Sequence, residues 1–319
     1  MIDEAIAYAP ASVANVIVGF DVLGFSIPIL YDKVTAKKIE NGVVINSISG
    51  VVTKLPFQPE ENTAGYAIIK MIEGENLRFG ISLDIEKGIP LGSGLGGSAA
   101  SAVAAVVAVN HLLENPLPKS KLLEYAIFGE SVASGSFHGD NVGASLFGGL
   151  IACIRKENGD VVSDFEILQL PIPDFVYCLI IHPHFELKTK MAREIVKPMI
   201  TMQSYVKQTM FLTSFLVGCY NQDSKIIQSS LKDIIIEPQR SKLIPDFTKI
   251  KKIVQQFEIL GFSISGAGPS MFAWCSSKNE AEKIQNGIYS SMNEFSHKLD
   301  VWITQIDSKG AYIIEDGKK

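Results

Sequence analysis

The chain has 319 residues, of which 47% are hydrophobic and 20% are charged, a balance typical of a folded globular protein with room for two domains. Its formal net charge is −5 and it has no long basic run, so we expect no nucleic-acid partner. The most apolar stretch, residues 99–113, is shorter than the about 20 residues that cross a bilayer, so we expect no membrane partner. The N-terminus lacks the basic and apolar regions of a signal peptide, which predicts a cytoplasmic protein.

The first half of the chain begins with β-strand signals. Two apolar runs within residues 25–48 are joined by Asn41 and Gly42, which predict a β-hairpin because both tolerate positive φ. A helix is predicted over residues 59–76, and an alternating strand over 77–90 leads into a glycine-rich loop.

Two helices are predicted after the loop, over residues 98–113 and 119–134. A second hairpin pattern spans 146–168, with its turn at Asn158 and Gly159. These elements complete a first domain, which we place at residues 1–168.

A second domain, residues 169–319, is predicted from the prolines and the apolar strand of 170–183. Helical patterns and strands then alternate irregularly, which indicates an α+β fold. The helical patterns cover residues 187–196, 201–221, 223–234, 246–260 and 278–293. Short strands flank the glycine-rich turn at 265–270, and two more close the chain.

The cysteine and histidine patterns argue against a metal centre or a disulfide framework. The four cysteines stand far apart without a CxxC pair, so we expect reduced, buried thiols. His182 and His184 form an H-x-H pair without a third ligand nearby, and we interpret them as residues at the end of a strand.

The glycine-rich loop fits the spacing G-x-G-x-x-G at Gly92, Gly94 and Gly97. A dinucleotide-binding fold would need a second strand after the loop helix, but a second helix follows at 119–134. A Walker-type loop would need a lysine after the last glycine, where the chain has Ser98. Glycines before a helix N-terminus still favour the binding of an anion, because backbone N–H groups can approach the anion closely. A tight turn without a ligand stays as the alternative.

Glu130 carries an argument of its own. Leu123, Ala126 and Ile127 lie three to seven residues before it and share its face of the predicted helix. A carboxylate on an apolar helix face must be paired with a cation or bind one. The sequence therefore leaves two possibilities, a core salt bridge and a metal ligand.

Several segments together resemble one family. Residues 90–105 are similar to the phosphate-binding motif of the GHMP kinases, and residues 9–25 and 264–274 resemble the N-terminal segment and C-terminal glycine motif. Residues 129–149 and 235–247 resemble the homoserine kinases in particular. The resemblance implies an N-terminal domain of the ribosomal protein S5 domain 2-like fold and a ferredoxin-like C-terminal domain. It also implies ATP-dependent phosphorylation of the hydroxyl of L-homoserine to O-phospho-L-homoserine, in threonine biosynthesis.

The resemblance also implies roles for individual residues. ATP would lie on the loop residues Pro90, Leu91, Gly92, Ser93, Gly94, Leu95, Gly96, Gly97, Ser98 and Ala99. Asn62 is expected either to contact the nucleotide or to cap its helix, and Mg²⁺ would be held by Ser98 and Glu130. Homoserine would contact Asn15, Asp21, His138, Thr189, Arg193 and Arg240. Asn141 and Asp21 would act in catalysis, mainly by positioning, because an asparagine cannot accept a proton and a loose phosphoryl-transfer transition state needs no strong base.

Two departures from the family pattern concern glycine positions. Gly97 stands where the family has a serine, and Ile17 stands where a glycine is common. Alternatives for the function are another GHMP kinase, acting on mevalonate or a sugar, and a non-catalytic nucleotide-binding protein. The sequence leaves the oligomeric state open, with a homodimer as one option.

Overall fold

The computed structural model describes residues 2–155, 162–306 and 309–314, which form two sheets flanked by helices. The strands are β1 (Glu4–Ala14), β2 (Leu23–Ile39), β3 (Val43–Gly50), β4 (Gly80–Lys87), β5 (Leu150–Arg155), β6 (Phe165–Leu170), β7 (Tyr177–Pro183), β8 (Gly261–Ile264), β9 (Met271–Cys275), β10 (Leu299–Thr304) and β11 (Tyr312–Ile313). The helices are α1 (Thr63–Glu75), α2 (Gly97–His111), α3 (Lys119–Ser134), α4 (Asp140–Phe147), α5 (Thr189–Glu194), α6 (Met202–Asn221), α7 (Ser224–Ser230), α8 (Glu237–Arg240), α9 (Phe247–Val254) and α10 (Lys278–Ser290). None of these helices is both long and apolar enough to cross a membrane.

The first sheet carries the strand order β11-β1-β2-β4-β3, and β5 and β6 extend it from β2. Helix α2 packs against β1 and β2 and also contacts α1 and α3. Its residues from 99 to 106 are all buried, and most are alanine, so the helix approaches the sheet closely. This close packing fixes the position of the glycine-rich loop that precedes it.

The prediction that β2 and β3 pair as a hairpin around Asn41 and Gly42 is wrong. The chain does reverse there, but β4 lies between β2 and β3, antiparallel to β2 and parallel to β3. The first residue of β4, Gly80, lies directly against the turn. A Cβ on Gly80 would lie only 2.3 Å from the Asn41 carbonyl carbon, so a glycine is needed there. The turn residues predict a reversal of the chain, whereas the neighbour of each strand is decided by packing elsewhere.

The second predicted hairpin is confirmed in its strands. β5 pairs antiparallel with β6, from Leu150 opposite Leu170 to Arg155 opposite Phe165. Its predicted turn at Asn158 and Gly159 lies outside the described residues.

The second sheet has the antiparallel order β10-β7-β9-β8. In chain order this is strand, helices, hairpin, helix and strand, which is the ferredoxin-like arrangement. The α+β fold with two sheets is therefore confirmed. The first sheet extends to residue 170 and also takes β11 from the end of the chain, while the division at residues 168 and 169 stays a prediction.

Two short helices were not predicted, α4 and α8. The sequence before and within α4 reads as a turn, because glycine, aspartate and asparagine are typical turn residues. These helices place Asn141 and Arg240, so they matter for the site described below.

The four cysteines and the H-x-H pair lie as the sequence predicts. All four cysteines are free and buried. His182 lies on β7 with its Nδ1 2.9 Å from the Ser270 hydroxyl, and His184 pairs with Asp300 at 2.8 Å. Among the described residues no group of three or more histidine, cysteine, aspartate or glutamate side chains could hold a metal.

A buried ion pair lies directly beneath the glycine-rich loop. Lys87, at the end of β4, pairs with Asp32 on β2, and both side chains are almost fully buried. The Lys87 ammonium also donates to the Ser101 hydroxyl at 2.8 Å and to the Gly97 carbonyl at 2.7 Å. The second Asp32 oxygen accepts the N–H groups of residues 88 and 89. This network joins two strands to the first turn of α2.

We expect Lys87→Met to lower the free energy of unfolding by about 3–5 kcal/mol, because it leaves the Asp32 carboxylate buried without its cation. Urea denaturation followed by circular dichroism measures the change. Lys33→Met is the matched control, since Lys33 pairs with Glu86 at the surface, where such pairs contribute about 0–1 kcal/mol. Equal losses for the two variants would contradict the structural role of the buried pair.

Candidate active site

We call the first sheet with its helices the first unit, and the second sheet with its helices the second unit. A cavity of about 420 Å³ lies between the two units. Residues from both units line it, including those from the glycine-rich loop. The predicted site residues among its lining are Asn15, Asp21, Asn62, Pro90, Leu91, Gly92, Ser93, Gly94, Gly96, Gly97, Ser98, Glu130, His138, Asn141, Thr189, Arg193 and Arg240. The structure therefore brings nearly all of them to one place.

Two of the loop residues proposed for ATP lie elsewhere. Leu95 and Ala99 do not line the cavity, and their side chains are fully buried in the core. They anchor the loop and the first turn of α2, so any contact they make with a nucleotide would be through the backbone.

The glycines that the loop requires are Gly92, Gly94 and Gly96, whose φ values are 58°, 76° and 68°. Only glycine adopts this left-handed region at little cost. Gly97 is the first residue of α2 and does not have a positive φ. The G-x-G-x-x-G spacing noted in the sequence is thus a coincidence, and Gly97 is the glycine that the backbone does not demand.

Four successive carbonyl groups of the loop are tied to surrounding segments. The Leu187 N–H donates to Gly92 O at 3.1 Å, the Ser270 N–H to Ser93 O at 3.0 Å, the Ser265 hydroxyl to Gly94 O at 2.6 Å, and the Ser12 N–H to Leu95 O at 3.1 Å. Because each peptide is planar and trans, a carbonyl held toward the protein turns the next N–H the other way. The loop can therefore present N–H groups to an anion, next to the free N–H groups of the first turn of α2.

The turn at residues 265–270 packs directly on this loop. A Cβ on Gly94 would lie 2.6 Å from Ser265 O and 2.7 Å from Gly268 O, so only glycine fits between them. Gly266 and Gly268 have φ values of 55° and 85°. The second unit therefore closes the outer side of the loop.

Ser98 and Glu130 lie together on the cavity wall. Ser98 is in the first turn of α2 and Glu130 is on α3, and the Glu130 Oε2 is buried without a hydrogen-bond partner among the described residues. Burial raises the pKa of Glu130 to about 7. A carboxylate and a hydroxyl are the hard oxygen donors that suit Mg²⁺, which keeps most of its waters and phosphate oxygens. The two residues fit such a cation.

A charged cluster also lines the cavity. Asp21 and Arg193 form a bidentate pair, with Nη1 to Oδ2 at 3.0 Å and Nη2 to Oδ1 at 3.1 Å. Arg240, almost fully buried, donates to Ala192 O and Gly266 O, both at 2.9 Å. Both guanidinium groups lie over the Phe20 ring, at 5.8 Å for Arg193 and 4.9 Å for Arg240.

His138 and Asp140 complete this cluster. The His138 Nδ1 lies 4.0 Å from an Asp21 oxygen, its Nε2 lies 2.7 Å from the Ser136 hydroxyl, and burial lowers its pKa. Asp140 is buried at the start of α4 and lines the cavity. Burial, with the charge of Asp21, raises the pKa of Asp140 to about 6. The sequence pattern assigned Asp140 to a turn and predicted no role for it. Its position two residues after His138 is a signal that could have identified it as a site residue.

Asn141 lines the cavity beside the glycine-rich loop. Its Oδ1 accepts a hydrogen bond from the Ser12 hydroxyl at 2.8 Å. Both groups press against Gly96, where a Cβ would lie 2.1 Å from the Ser12 oxygen. Ser12, on β1, was not identified from the sequence, and it fixes Asn141 beside the loop.

Asn15 uses its side chain to connect backbone segments. Its Nδ2 donates to Gly266 O at 3.0 Å, and its Oδ1 accepts the Asp21 N–H at 3.1 Å. Four non-glycine residues of this segment have φ between 43° and 72°, namely Asn15, Val16, Ile17 and Asp21. Ile17 thus adopts the conformation for which a glycine would be expected.

Asn62 and Thr189 lie at the ends of helices. The Asn62 side chain caps α1 by accepting the N–H groups of Ala64 and Gly65, and it donates to Pro56 O. The cap accounts for its burial, and a contact with the nucleotide stays a prediction. Thr189 is exposed at the first position of α5, one turn before Arg193.

Family comparisons cover both units of the chain. The model of the GHMP kinase N-terminal domain matches residues 62–149, and that of the GHMP kinase C-terminal domain matches residues 216–294. A homoserine kinase of Xylella fastidiosa is 41% identical over 312 residues, which cover 98% of this chain and 94% of that protein. One of Chlorobium phaeobacteroides is 36% identical, covering 96% and 98%.

A solved structure agrees with these relatives. The crystal structure of homoserine kinase from Cytophaga hutchinsonii superposes with a TM-score of 0.92 at 39% identity and covers 98% of each chain. Sequence and structure therefore give the same relationship over nearly the whole chain. The chain belongs to the GHMP kinases and, within them, to the family of the homoserine kinases.

Proposed function

We propose that the protein transfers the γ-phosphoryl group of ATP to the hydroxyl of L-homoserine, which gives O-phospho-L-homoserine for threonine biosynthesis. The observation that carries the proposal is the Asp21–Arg193 pair, with Arg240 beside it, in the same cavity as the glycine-rich loop. The cavity joins a site for an amino acid to a site for phosphate.

The charged cluster suits a zwitterion. In this structure Asp21 and Arg193 satisfy each other. An amino acid carries one carboxylate and one ammonium, so it can take the place of each partner without leaving a charge unpaired. Arg193 and Arg240 would hold the carboxylate, since guanidinium groups bind carboxylates through paired N–H donors. Asp21 would accept the ammonium, and Asp140 adds negative charge on the same side.

The loop and helix α2 would hold the ATP phosphates through backbone N–H groups. Ser98 and Glu130 would hold Mg²⁺, which, when bound, neutralises charge on the phosphate oxygens. The buried, unpartnered Oε2 of Glu130 supports this assignment. A salt bridge would be the alternative for such a carboxylate, yet none reaches Glu130 from the described part of the chain.

Catalysis would depend mainly on positioning. Asn141, held by Ser12 beside the glycine-rich loop, lines the cavity and would orient the substrate hydroxyl. An amide cannot accept a proton, so the hydroxyl proton would leave late, for instance to the transferred phosphate. A loose transition state for phosphoryl transfer makes this order chemically reasonable.

We expect homoserine to stimulate ADP release far more than mevalonate or galactose. Mevalonate offers a carboxylate but no ammonium for Asp21, and a sugar offers neither charge. A coupled ADP-release assay with each acceptor, with and without Mg²⁺, measures the preference. ATP binding without homoserine-dependent ADP release would indicate a nucleotide-binding protein instead.

We expect Arg193→Met to raise the KM for homoserine about 10- to 100-fold, because it removes charge-assisted hydrogen bonds of about 1.5–3 kcal/mol. The KM for ATP should change less than about twofold, since the loop contacts do not involve Arg193. Arg155→Met is the control, as Arg155 is exposed at the end of β5, outside the cavity lining. A parallel rise in both KM values would argue against a carboxylate contact.

We expect Glu130→Gln to weaken the binding of Mg²⁺ with ADP by about 10- to 100-fold, while binding of ADP in EDTA changes little. Calorimetric titration of ADP with and without Mg²⁺ measures this difference without depending on turnover. Glu124→Gln, one to two turns earlier on α3, is the matched control, because Glu124 pairs with Lys121 outside the cavity lining. An unchanged magnesium response in the Glu130 variant would exclude it as a ligand.

A further inference from the structure

Phe20 is a large apolar residue that belongs to none of the apolar cores. The preceding residues 16–18 are buried in a core, whereas Phe20 is only half-buried. In the described part of the chain no hydrophobic cluster includes Phe20. The guanidinium groups of Arg193 and Arg240 lie over its ring instead, at 5.8 Å and 4.9 Å from the ring centroid. Packing of a core therefore does not explain why a phenylalanine stands at this position.

The backbone around Phe20 is fixed by a tight turn. Gly19 O accepts the N–H groups of Val22 and Leu23, at 3.0 Å and 2.8 Å. A Cβ on Gly19 would clash with the Leu23 side chain, so the turn has no room for a larger residue there. The turn therefore presents Phe20 and Asp21 as a fixed pair, the ring to both guanidinium groups and the carboxylate to one of them.

Two guanidinium groups beside each other need compensation. Burial and then the charge of Arg193 lower the pKa of Arg240, so the two like charges disfavour each other. Asp21 forms its hydrogen bonds with Arg193 and not with Arg240. The face of an aromatic ring carries partial negative charge and attracts a cation that lies over it. Phe20 therefore holds both groups in one place despite their mutual repulsion.

The ring also leaves hydrogen-bond donors of the arginines available. A guanidinium group has five N–H donors, and an aromatic ring has no lone pair that would accept one as an oxygen does. Arg240 uses its Nε and Nη1 for the carbonyl oxygens of residues 192 and 266, and among the described residues its Nη2 has no acceptor. Arg193 gives both Nη groups to Asp21. If a substrate ammonium takes Asp21, the contact with Phe20 still holds Arg193.

We propose that Phe20 is a positioning residue for the substrate carboxylate, because its ring holds the guanidinium groups of Arg193 and Arg240 in place while Asp21 binds the substrate ammonium. This rests on the proposed function, in which the two arginines bind the carboxylate of homoserine. Phe20 does not line the cavity, so it acts through the arginines and does not touch the substrate.

The first test compares two phenylalanines with the same kind of contact. Phe79 is also half-buried, and its ring centroid lies 5.0 Å from the Lys38 ammonium, outside the cavity lining. Phe20→Leu should raise the KM for homoserine about 5- to 30-fold, which is about 1–2 kcal/mol, through the loss of its cation–π contacts. Its kcat and its KM for ATP should stay within about twofold of the wild type, since the loop does not contact Phe20. Phe79→Leu, and Phe20→Tyr with its aromatic face, should keep the KM for homoserine within about threefold.

A second measurement separates the carboxylate from the rest of the substrate. The amino alcohol in which a methyl group replaces the carboxylate of homoserine keeps the ammonium and the hydroxyl. Its inhibition constant against homoserine should change less than about twofold in Phe20→Leu, because it has no carboxylate for the arginines to bind. A merely structural role of Phe20 would weaken the binding of both compounds alike.

An unchanged KM for homoserine in Phe20→Leu, an equal weakening of the amino alcohol, or a KM in Phe20→Tyr as high as in Phe20→Leu would each overturn the role of Phe20. Any of these results beside a raised KM in Arg193→Met would leave the proposed function intact. An unchanged KM for homoserine in Arg193→Met would instead refute the carboxylate site, and the role of Phe20 would fail with it.

Discussion

The chemistry of the site depends on one constraint, which is the direction of four carbonyl groups in the glycine-rich loop. The carbonyls of residues 92–95 all accept hydrogen bonds from donors in the protein. Each intervening N–H group therefore points away from those donors. The N–H of Leu95 is the exception, since it donates to the Ser93 hydroxyl. A loop with free carbonyls could rotate them toward the cavity, where they would repel a phosphate. The hydrogen bonds to these carbonyls prevent that rotation before a ligand binds, which lowers the free-energy cost of organising the site on binding.

Three of the four hydrogen bonds to these carbonyls come from the second unit, and the turn at 265–270 also contacts Asn15 and Arg240. Leu187, Ser265 and Ser270 hold loop carbonyls, while Gly266 O accepts from both Asn15 and Arg240. The turn at 265–270 therefore contacts both the glycine-rich loop and the charged cluster. Phosphoryl transfer needs the hydroxyl and the phosphorus at a fixed separation, so a shift of this turn would misplace both groups at once.

The sequence predicted what local patterns encode. Helices α2, α3, α6 and α10 follow from periodicity and end signals, and nearly all the site residues implied by the resemblance to one family line the cavity. Local sequence patterns could not predict that β4 lies between β2 and β3, because strand order is decided by contacts between residues far apart in the chain. Lys87 was missed for a similar reason. A lysine in an alternating strand usually points to solvent, and only the fold shows that Asp32 and Ser101 surround it.

The segment of residues 15–21 shows how the fold sustains an unfavourable conformation where the site needs it. Left-handed backbone costs non-glycine residues about 1–2 kcal/mol each, and this segment contains four of them. The cost is offset where the segment is tied down: Val16, Ile17 and Val18 are buried, and the Asn15 amide uses both its donor and its acceptor. The Asn15 bond to the Asp21 N–H holds Asp21 in its own strained conformation, with the carboxylate facing Arg193. The Asn15 side chain therefore positions Asp21 and links it to the turn at 265–270, which also holds the glycine-rich loop.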